Sequence, residues 1–319
     1  MDISVVIPLY NEDESLGELY SWISKVMVKN NYSFEVIFMN DGSTDNSWVV
    51  IQELASKNDN VKGVRFRKNQ GKSNALNVGF KHTQGDVVIT MDADLQDSPE
   101  EIPELYRLIK VEGYDLISGW KQKRFDPITK TLPTKLFNWA TRKISKIQLH
   151  DFNCGLKSYR SDVVKSITVY GEMHRYIPFL AKNVGFNKIG EKVVSHQARK
   201  YGVTKFGLDR FINGFLDLAT LAMISKFGRR PMHFFGLLGT LMFFLSIVSL
   251  AVMGGLKLYA LGVGEKAGLV ADNPWFYIML TTTIIGTQLF LIGFLAEIVL
   301  RQSNKPINYT ITEMLNISE

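Results

Sequence analysis

Two segments near the carboxyl end constrain this chain most: residues 232–256 and 273–296 contain no Asp, Glu, Lys or Arg. Each exceeds the roughly 20 residues a helix needs to cross about 30 Å of hydrocarbon at 1.5 Å of rise per residue. A buried core helix is the competing reading, but such segments are shorter, roughly 10–15 residues. Both therefore read as transmembrane helices, at 232–257 and 273–300, joined by an extracytoplasmic loop at 258–272. A uniformly soluble fold is excluded.

Charge is distributed to match. Of 37 basic and 31 acidic residues, four and five fall from Met232 onward, so the basic excess lies wholly before that point. Lys226, Arg229 and Arg230 precede the first segment and Arg301 and Lys305 follow the second. Basic flanks stay in the cytoplasm, which predicts a cytoplasmic amino-terminal domain and a cytoplasmic tail at 301–319. Residues 1–8 read as a strand rather than a leader. The single cysteine, Cys154, can form neither an intrachain disulfide nor a cysteine-based zinc site on its own, and fits a reducing compartment. Between 205 and 231, Phe211, Phe215, Leu218 and Ala222 recur at helical spacing with Asp209, Arg210, Asp217 and Lys226 elsewhere. This predicts an amphipathic helix on the membrane surface, an ordinary packed helix being the alternative. Gly236, Gly239, Ser246, Ser249, Gly254 and Gly255 offer small residues for close helix contact, within the chain or in a homo-oligomer. Glu297, four residues before Arg301, reads as half of a local ion pair rather than part of an ion pathway.

In residues 1–204, short apolar runs (3–7, 34–38, 61–66, 87–91) alternate with helical patterns (14–28, 45–55, 74–81). That order predicts an α/β domain with a mostly parallel sheet, whose ligands sit at the carboxyl ends of the strands. Three strand ends carry polar groups. The first runs into Pro8-Leu9-Tyr10-Asn11-Glu12. The second runs into Asn40-Asp41-Gly42-Ser43-Thr44-Asp45, where Asp41 could accept from a base or ribose and Ser43 or Thr44 could cap the next helix; a plain turn and cap is the alternative. The third, Asp92-Ala93-Asp94-Leu95-Gln96, read as extended, puts three oxygen donors on one side. Such a set suits Mg²⁺ or Mn²⁺, which complete their shells with substrate phosphates. A calcium loop would want Gly at its sixth position and Glu at its twelfth, and both are missing. A solvated acidic turn is the remaining alternative.

These motifs, with Asn69-Gln70-Gly71-Lys72, occur in the order and spacing of family 2 glycosyltransferases of the GT-A fold. The likeness continues through 150–157 (HDFNCGLK), 171–175 (GEMHR) and 199–205 (RKYGVTK). With the paired apolar segments the chain resembles the polyprenyl-phosphate glycosyltransferases, of the bactoprenol glucosyltransferase and dolichol-phosphate mannosyltransferase type, over almost its full length. The resemblance implies nucleotide binding by Pro8, Tyr10, Glu12, Asp41 and Lys72. It implies metal and donor diphosphate at Asp92, Asp94 and Gln96, and phosphate contacts at Lys157, where the family usually has Arg, and at Arg199 and Lys205. It also implies an inverting reaction.

The chemistry asks chiefly for charge management. A lipid monophosphate, its second pKa about 6, is already a nucleophile near neutral pH. Cations must hold it beside a leaving diphosphate despite their repulsion. Residues 120–150 hold eight Lys or Arg against Asp126 alone. Lys121, Arg124 and Lys135 are the acceptor-phosphate candidates there, while Lys143 and Lys146 read as a solvated helix face and anionic lipid is a further partner. Nucleic acid is not expected, since no recognition motif accompanies the charge. Arg175 could also face the lipid phosphate, as could His174 unless it is simply packed. Asp151 reads equally as a second metal ligand, a carboxylate steering the acceptor, or an Asx turn.

The expected function is metal-dependent transfer of a hexose from a nucleotide sugar to undecaprenyl or another polyprenyl phosphate. UDP-glucose is the favoured donor, though GDP-mannose and UDP-N-acetylglucosamine fit the same motifs. A processive polysaccharide synthase is the enzymatic alternative, but its Gln-x-x-Arg-Trp motif is absent. A catalytically silent membrane-tethered sugar-lipid scaffold is the other.

Overall fold

The first strand, β1 (Ile3–Leu9), is buried over its whole length, as a strand covered on both faces must be. It opens an alternation of α1 (Asp13–Lys29), β2 (Phe34–Asn40), α2 (Ser47–Lys57), β3 (Val61–Phe66), α3 (Lys72–His82), β4 (Val87–Thr90), α4 (Ile102–Lys110) and β5 (Leu116–Trp120). Then come β6 (Lys157–Arg160) and β7 (Ile189–Val193), and, after two long apolar helices, β8 (Ile311–Leu315). The computed structural model describes residues 1–122, 138–197, 231–264, 268–302 and 311–316. Arg124, Lys135, Arg199, Lys205 and all but the last residue of the segment 205–231 lie outside these, so the expectations made for them have no structural counterpart.

The chain divides into two units, Met1–Leu218 with Ile307–Glu319, and Ala219–Pro306. In the first, eight strands form one sheet in the order β7-β5-β6-β4-β1-β2-β3-β8. β1 pairs in parallel with β2 and β4, and β2 with β3. β6 is inserted antiparallel between β4 and β5. Because the chain runs outward from β1 to β3 and then returns to β4 on the other side of β1, the order reverses between β1 and β4. In open sheets of this kind the crevice at the carboxyl ends of the reversal strands is the ligand site. The core beneath it is aliphatic, with Val5, Ile7, Leu16, Leu19, Ile23 and Ile89 all fully buried.

β8 falls in the segment that the sequence marks only as a tail. Its pairing with β3 is antiparallel, and Glu313 accepts a hydrogen bond from the Trp48 indole at 2.7 Å. Asn316 adds bonds to the carbonyls of Ala55 and Val61. The first unit therefore holds chain from both sides of the apolar pair.

In the second unit the helices Pro231–Gly262 and Pro274–Gln302 are long and apolar enough to cross a membrane. Only 17% and 11% of their most apolar windows are buried, where a soluble core helix would be mostly covered, so these surfaces call for lipid. They meet through small residues. A Cβ on Gly239 would strike the Gly286 carbonyl, and one on Gly293 would strike Phe235. Ser246 joins Thr283 hydroxyl to hydroxyl at 2.8 Å. Gly236, Gly239 and Ser246 thus serve contact within the chain, whereas a Cβ on Gly254 or Gly255 would meet nothing within 4 Å.

Candidate active site

At the β1–β4 reversal lies a cavity of about 350 Å³, lined by Pro8, Leu9, Tyr10, Glu12, Asp41, Asn69, Gly71, Lys72, Ala75, Asp92, Ala93 and Asp94. Among the described residues its charged lining is four carboxylates and one lysine. A hollow of about 430 Å³ at the start of β4 has its charges paired among themselves, Lys110 with Asp86 and Arg160 with Asp162.

The loops after β1 and β2 are tied to each other. Asn11, in a left-handed conformation at φ 57°, donates its N–H to Ser43 Oγ at 3.0 Å and accepts from Thr44 N–H at 2.8 Å. The Glu12 N–H reaches Ser47 Oγ at 3.0 Å. Ser43 and Thr44 are therefore cross-links rather than helix caps. The start of α2 is served by Asp45, whose Oδ1 accepts from Ser47 N–H at 3.0 Å while Oδ2 accepts from Asp13 N–H at 3.2 Å. Although some burial opposes it, these bonds hold the Asp45 carboxyl below its usual range.

Asp41 lines the cavity with its carboxylate already engaged. Its oxygens accept from Gln70 N–H at 2.6 Å and Gly71 N–H at 2.9 Å. Gly71 sits at φ 88°, a conformation glycine takes without steric cost, and α3 starts at the next residue. Burial pushes Asp41 above the usual carboxylate range, with the two N–H groups pulling against it.

The acidic motif differs from its expected extended form. β4 ends at Thr90, residues 93–94 form a turn, and buried Leu95 is left-handed at φ 58°. That is an uncommon conformation for a branched residue, of the kind held in place at functional sites. The turn folds Asp94 inward, where its Oδ1 accepts from Gln96 N–H at 3.2 Å. The Gln96 amide nitrogen approaches the Gln197 carbonyl at 3.5 Å instead of lining the cavity. Asp92 is bonded by the Lys72 ammonium. Burial raises its pKa, but Lys72 first, then Lys121, overcome this and bring it down to about 2. Gly155 packs so tightly on this carboxylate that a Cβ there would collide with it.

Among the described residues no three acidic, histidine or cysteine side chains converge on a metal position. Asp92 and Asp94 still give two hard oxygen donors on one turn at the cavity wall. This partial shell fits Mg²⁺ or Mn²⁺, which take their remaining ligands from substrate phosphates and water.

The acceptor-side cations are placed differently from their expected roles. Lys121 pairs at 2.6 Å with Asp97, which is fully buried. Lys157 is buried and donates to the carbonyls of Phe152 and Cys154, and burial pushes its pKa down. In this arrangement both ammonium groups are held by protein oxygens. Asp151 takes the Asx-turn form, its Oδ1 accepting from Asn153 N–H at 3.0 Å. Arg175 lies 3.8 Å from Glu172. His174 packs on the first turn of α3, donating its backbone N–H to Ser73 Oγ at 3.0 Å with its ring Nδ1 3.1 Å from the same oxygen. Burial, then Lys72 and Arg175, push its pKa far down, so the imidazole is neutral. Sequence reasoning missed Ser73, Asp97 and Gly155. A third acid after Asp92 and Asp94 marked Asp97, but nothing local marked its partner.

Residues 4–168 match the family described as Glycosyl transferase family 2. The dodecaprenyl-phosphate galacturonate synthase of Rhizobium johnstonii is 32% identical over 304 residues, 94% of this chain and 88% of that protein. The undecaprenyl-phosphate 4-deoxy-4-formamido-L-arabinose transferase of Shewanella sediminis is 34% identical over 299 residues, 92% of this chain and 86% of that protein. Among solved structures, glucosyl-3-phosphoglycerate synthase from Mycobacterium tuberculosis, in complex with Mn²⁺, UDP and glucosyl-3-phosphoglycerate, is similar at a TM-score of 0.55. It shares 20% identity and covers 70% of this chain and 79% of that one, a likeness of fold.

Proposed function

The chain belongs to glycosyl transferase family 2 and is a glycosyltransferase of GT-A-like fold, and on that footing we propose that it moves one sugar from a nucleotide sugar to a polyprenyl phosphate. The observation that carries this reading is the cavity at the β1–β4 reversal, with Asp92 and Asp94 on one wall and Lys72 the one lining cation among the described residues. A bare diphosphate would be repelled by that lining, so a divalent cation must accompany it. Two relatives matched over nearly their full length, both named for sugar transfer involving a polyprenyl phosphate, support the acceptor.

Asp92 and Asp94 would hold the metal, with Gln96 near enough in sequence to join by turning its amide. When bound, the ion supplies charge for the departing diphosphate. The lipid phosphate, mostly dianionic, attacks the anomeric carbon without a strong base. A C–O bond forms to the lipid phosphate as the C–O bond to the donor's β-phosphate breaks, and the electron pair leaves on the nucleoside diphosphate. One displacement from the opposite face inverts the anomeric configuration. Asp41 acts by fixing the loop at 69–71, and Lys72 by carrying positive charge at the start of α3.

The relatives are named for galacturonate and 4-deoxy-4-formamido-L-arabinose rather than glucose, so these sugars lead the donor panel with UDP-glucose beside them. The catalytic unit would face the cytoplasm, the side that the basic flanks Lys226, Arg229, Arg230 and Arg301 favour. Two spans return the chain to the side it left, as β8 in the catalytic sheet requires.

Membranes holding the protein, supplied with undecaprenyl phosphate, Mg²⁺ or Mn²⁺ and the labelled donor panel, should transfer label to an organic-soluble product. Asp94→Asn should lower that transfer by about a thousandfold, the scale of losing a main electrostatic contributor. Failure with every donor, or an unaffected Asp94→Asn, refutes the proposal.

A further inference from the structure

Three lysines act on Asp92, and each has a different partner. Lys121 is committed to Asp97 and Lys157 to two backbone carbonyls. Lys72 binds Asp92 itself, at Oδ1, and Gly155 lies so close to the carboxylate that a Cβ there would collide with it. Both members of this pair stay open to the cavity, with 34% and 32% of their side chains exposed.

The Lys72 backbone is anchored, because it follows the Gln70 and Gly71 N–H groups that Asp41 holds. Its four-carbon stem is not, and an ammonium on such a stem is a mobile point charge. The resting cavity thus carries a cation on the carboxylate that a divalent ion would need. Adding the ion alone would crowd a dication against this ammonium. Adding it with a diphosphate gives the ammonium somewhere to go.

We propose that Lys72 is a resident counter-ion of Asp92, which yields the carboxylate to the divalent ion when a nucleoside diphosphate enters and then binds the diphosphate. The diphosphate half of this rests on the function proposed above; the exchange at Asp92 does not. Metal and nucleotide then bind cooperatively, each strengthening the other by the same factor. The protein also resists taking up metal without substrate.

Binding of Mn²⁺ to the purified full-length protein in detergent, followed by the electron paramagnetic resonance of the free ion with and without UDP, tests this. Lys72→Gln should bind Mn²⁺ alone about fivefold more tightly than wild type, the scale of a partly exposed ion pair. The factor by which UDP tightens Mn²⁺ should fall about tenfold in the same variant, since its freed ammonium is gone. Lys68→Gln, an exposed lysine four positions earlier, should leave both within about twofold. The proposal is overturned if Lys72→Gln binds Mn²⁺ alone no more tightly than wild type, or if Lys68→Gln moves it equally. Wild-type protein whose Mn²⁺ affinity ignores UDP would overturn the nucleotide reading, while the comparison with Mn²⁺ alone still decides the exchange at Asp92.

Discussion

Around the carboxyl ends of β1, β2 and β4, acidic side chains are held in place by backbone N–H groups, Asp41 by Gln70 and Gly71 and Asp45 by Ser47 and Asp13, and Asp41, Asp92 and Asp94 line a cavity. Toward β5 and β6 the charges are basic and turned inward, with Lys121 on buried Asp97 and Lys157 on carbonyls of its own loop. On the first side charge lines a cavity; on the second it is paired within the protein. For Asp45 and Asp92, which keep part of their surface in water where Asp41 does not, the difference lies in solvation. A carboxylate at a loop tip can accept N–H bonds and still meet water, whereas a buried ammonium must satisfy its donors internally or lose its charge.

The sharpest way to break that comparison is to remove a cation from each side. Lys121→Met would leave Asp97 buried without its partner, which should destabilise the catalytic unit by about 3–5 kcal/mol. Adding Asp97→Asn should recover most of the loss. Lys72→Gln, whose pair is a third exposed, should cost about 1 kcal/mol or less. Denaturant unfolding of the protein in detergent measures all three variants. Equal costs for Lys121→Met and Lys72→Gln would erase the distinction between structural and ligand-facing lysines.

The same distinction explains what could be read in advance. The strand ends after β1, β2 and β4 are short local motifs whose residues act on neighbours in the same or the adjacent loop, so order and spacing placed Pro8, Glu12, Asp41 and Asp92 at one cavity. The extended reading of 92–96 gives way to a turn at 93–94 and the left-handed Leu95, in a sequence with no glycine to announce either. Lys121 reads as a phosphate ligand from its place in a basic run and Lys157 from the family resemblance, and neither signal carries the direction of a side chain. Asp97 lies across two elements from Lys121, and the carbonyls that hold Lys157 have no side-chain signature. β8 was the least legible element. Its five residues carry no turn signal, and its partner Trp48 is 265 positions away.

A smaller effect probes the place where the two sides touch. Gly155 belongs to the 150–157 stretch proposed for the acceptor side, yet a Cβ on it would strike the Asp92 carboxylate. The carboxylate end can swing, so Gly155→Ala should displace the metal donor rather than unfold the sheet. A shift of about 1 Å at a reacting centre is worth about a hundredfold. Sugar transfer to polyprenyl phosphate should fall by that factor and Mn²⁺ binding should weaken, with the unfolding midpoint nearly unchanged. Normal transfer by Gly155→Ala would show that Asp92 has more room than this packing allows.

The smallest effect separates charge from shape on the acidic side alone. Asp45→Asn keeps an oxygen that can accept from Ser47 N–H but loses the carboxylate's charge, and should cost about 1 kcal/mol at pH 7, the scale of a helix cap. Because folding lowers the Asp45 pKa, its contribution is fully present above the unfolded value near 3.9 and is lost as pH falls through the lower folded value. The stability gap between wild type and Asp45→Asn should therefore hold from pH 7 to about 5 and close below about 4. Asp97 supplies the contrast, since its burial raises rather than lowers its pKa. Once Lys121→Met has orphaned it, Asp97 can lose its charge by taking up a proton at a higher pH than Asp45 does. The Lys121→Met penalty should therefore begin to shrink while the Asp45→Asn gap is still intact. Unfolding midpoints of the two variants against wild type across pH 3–7 read out this order, and a reversal would mean that the buried pair and the loop-tip carboxylate do not differ in solvation as their surroundings require.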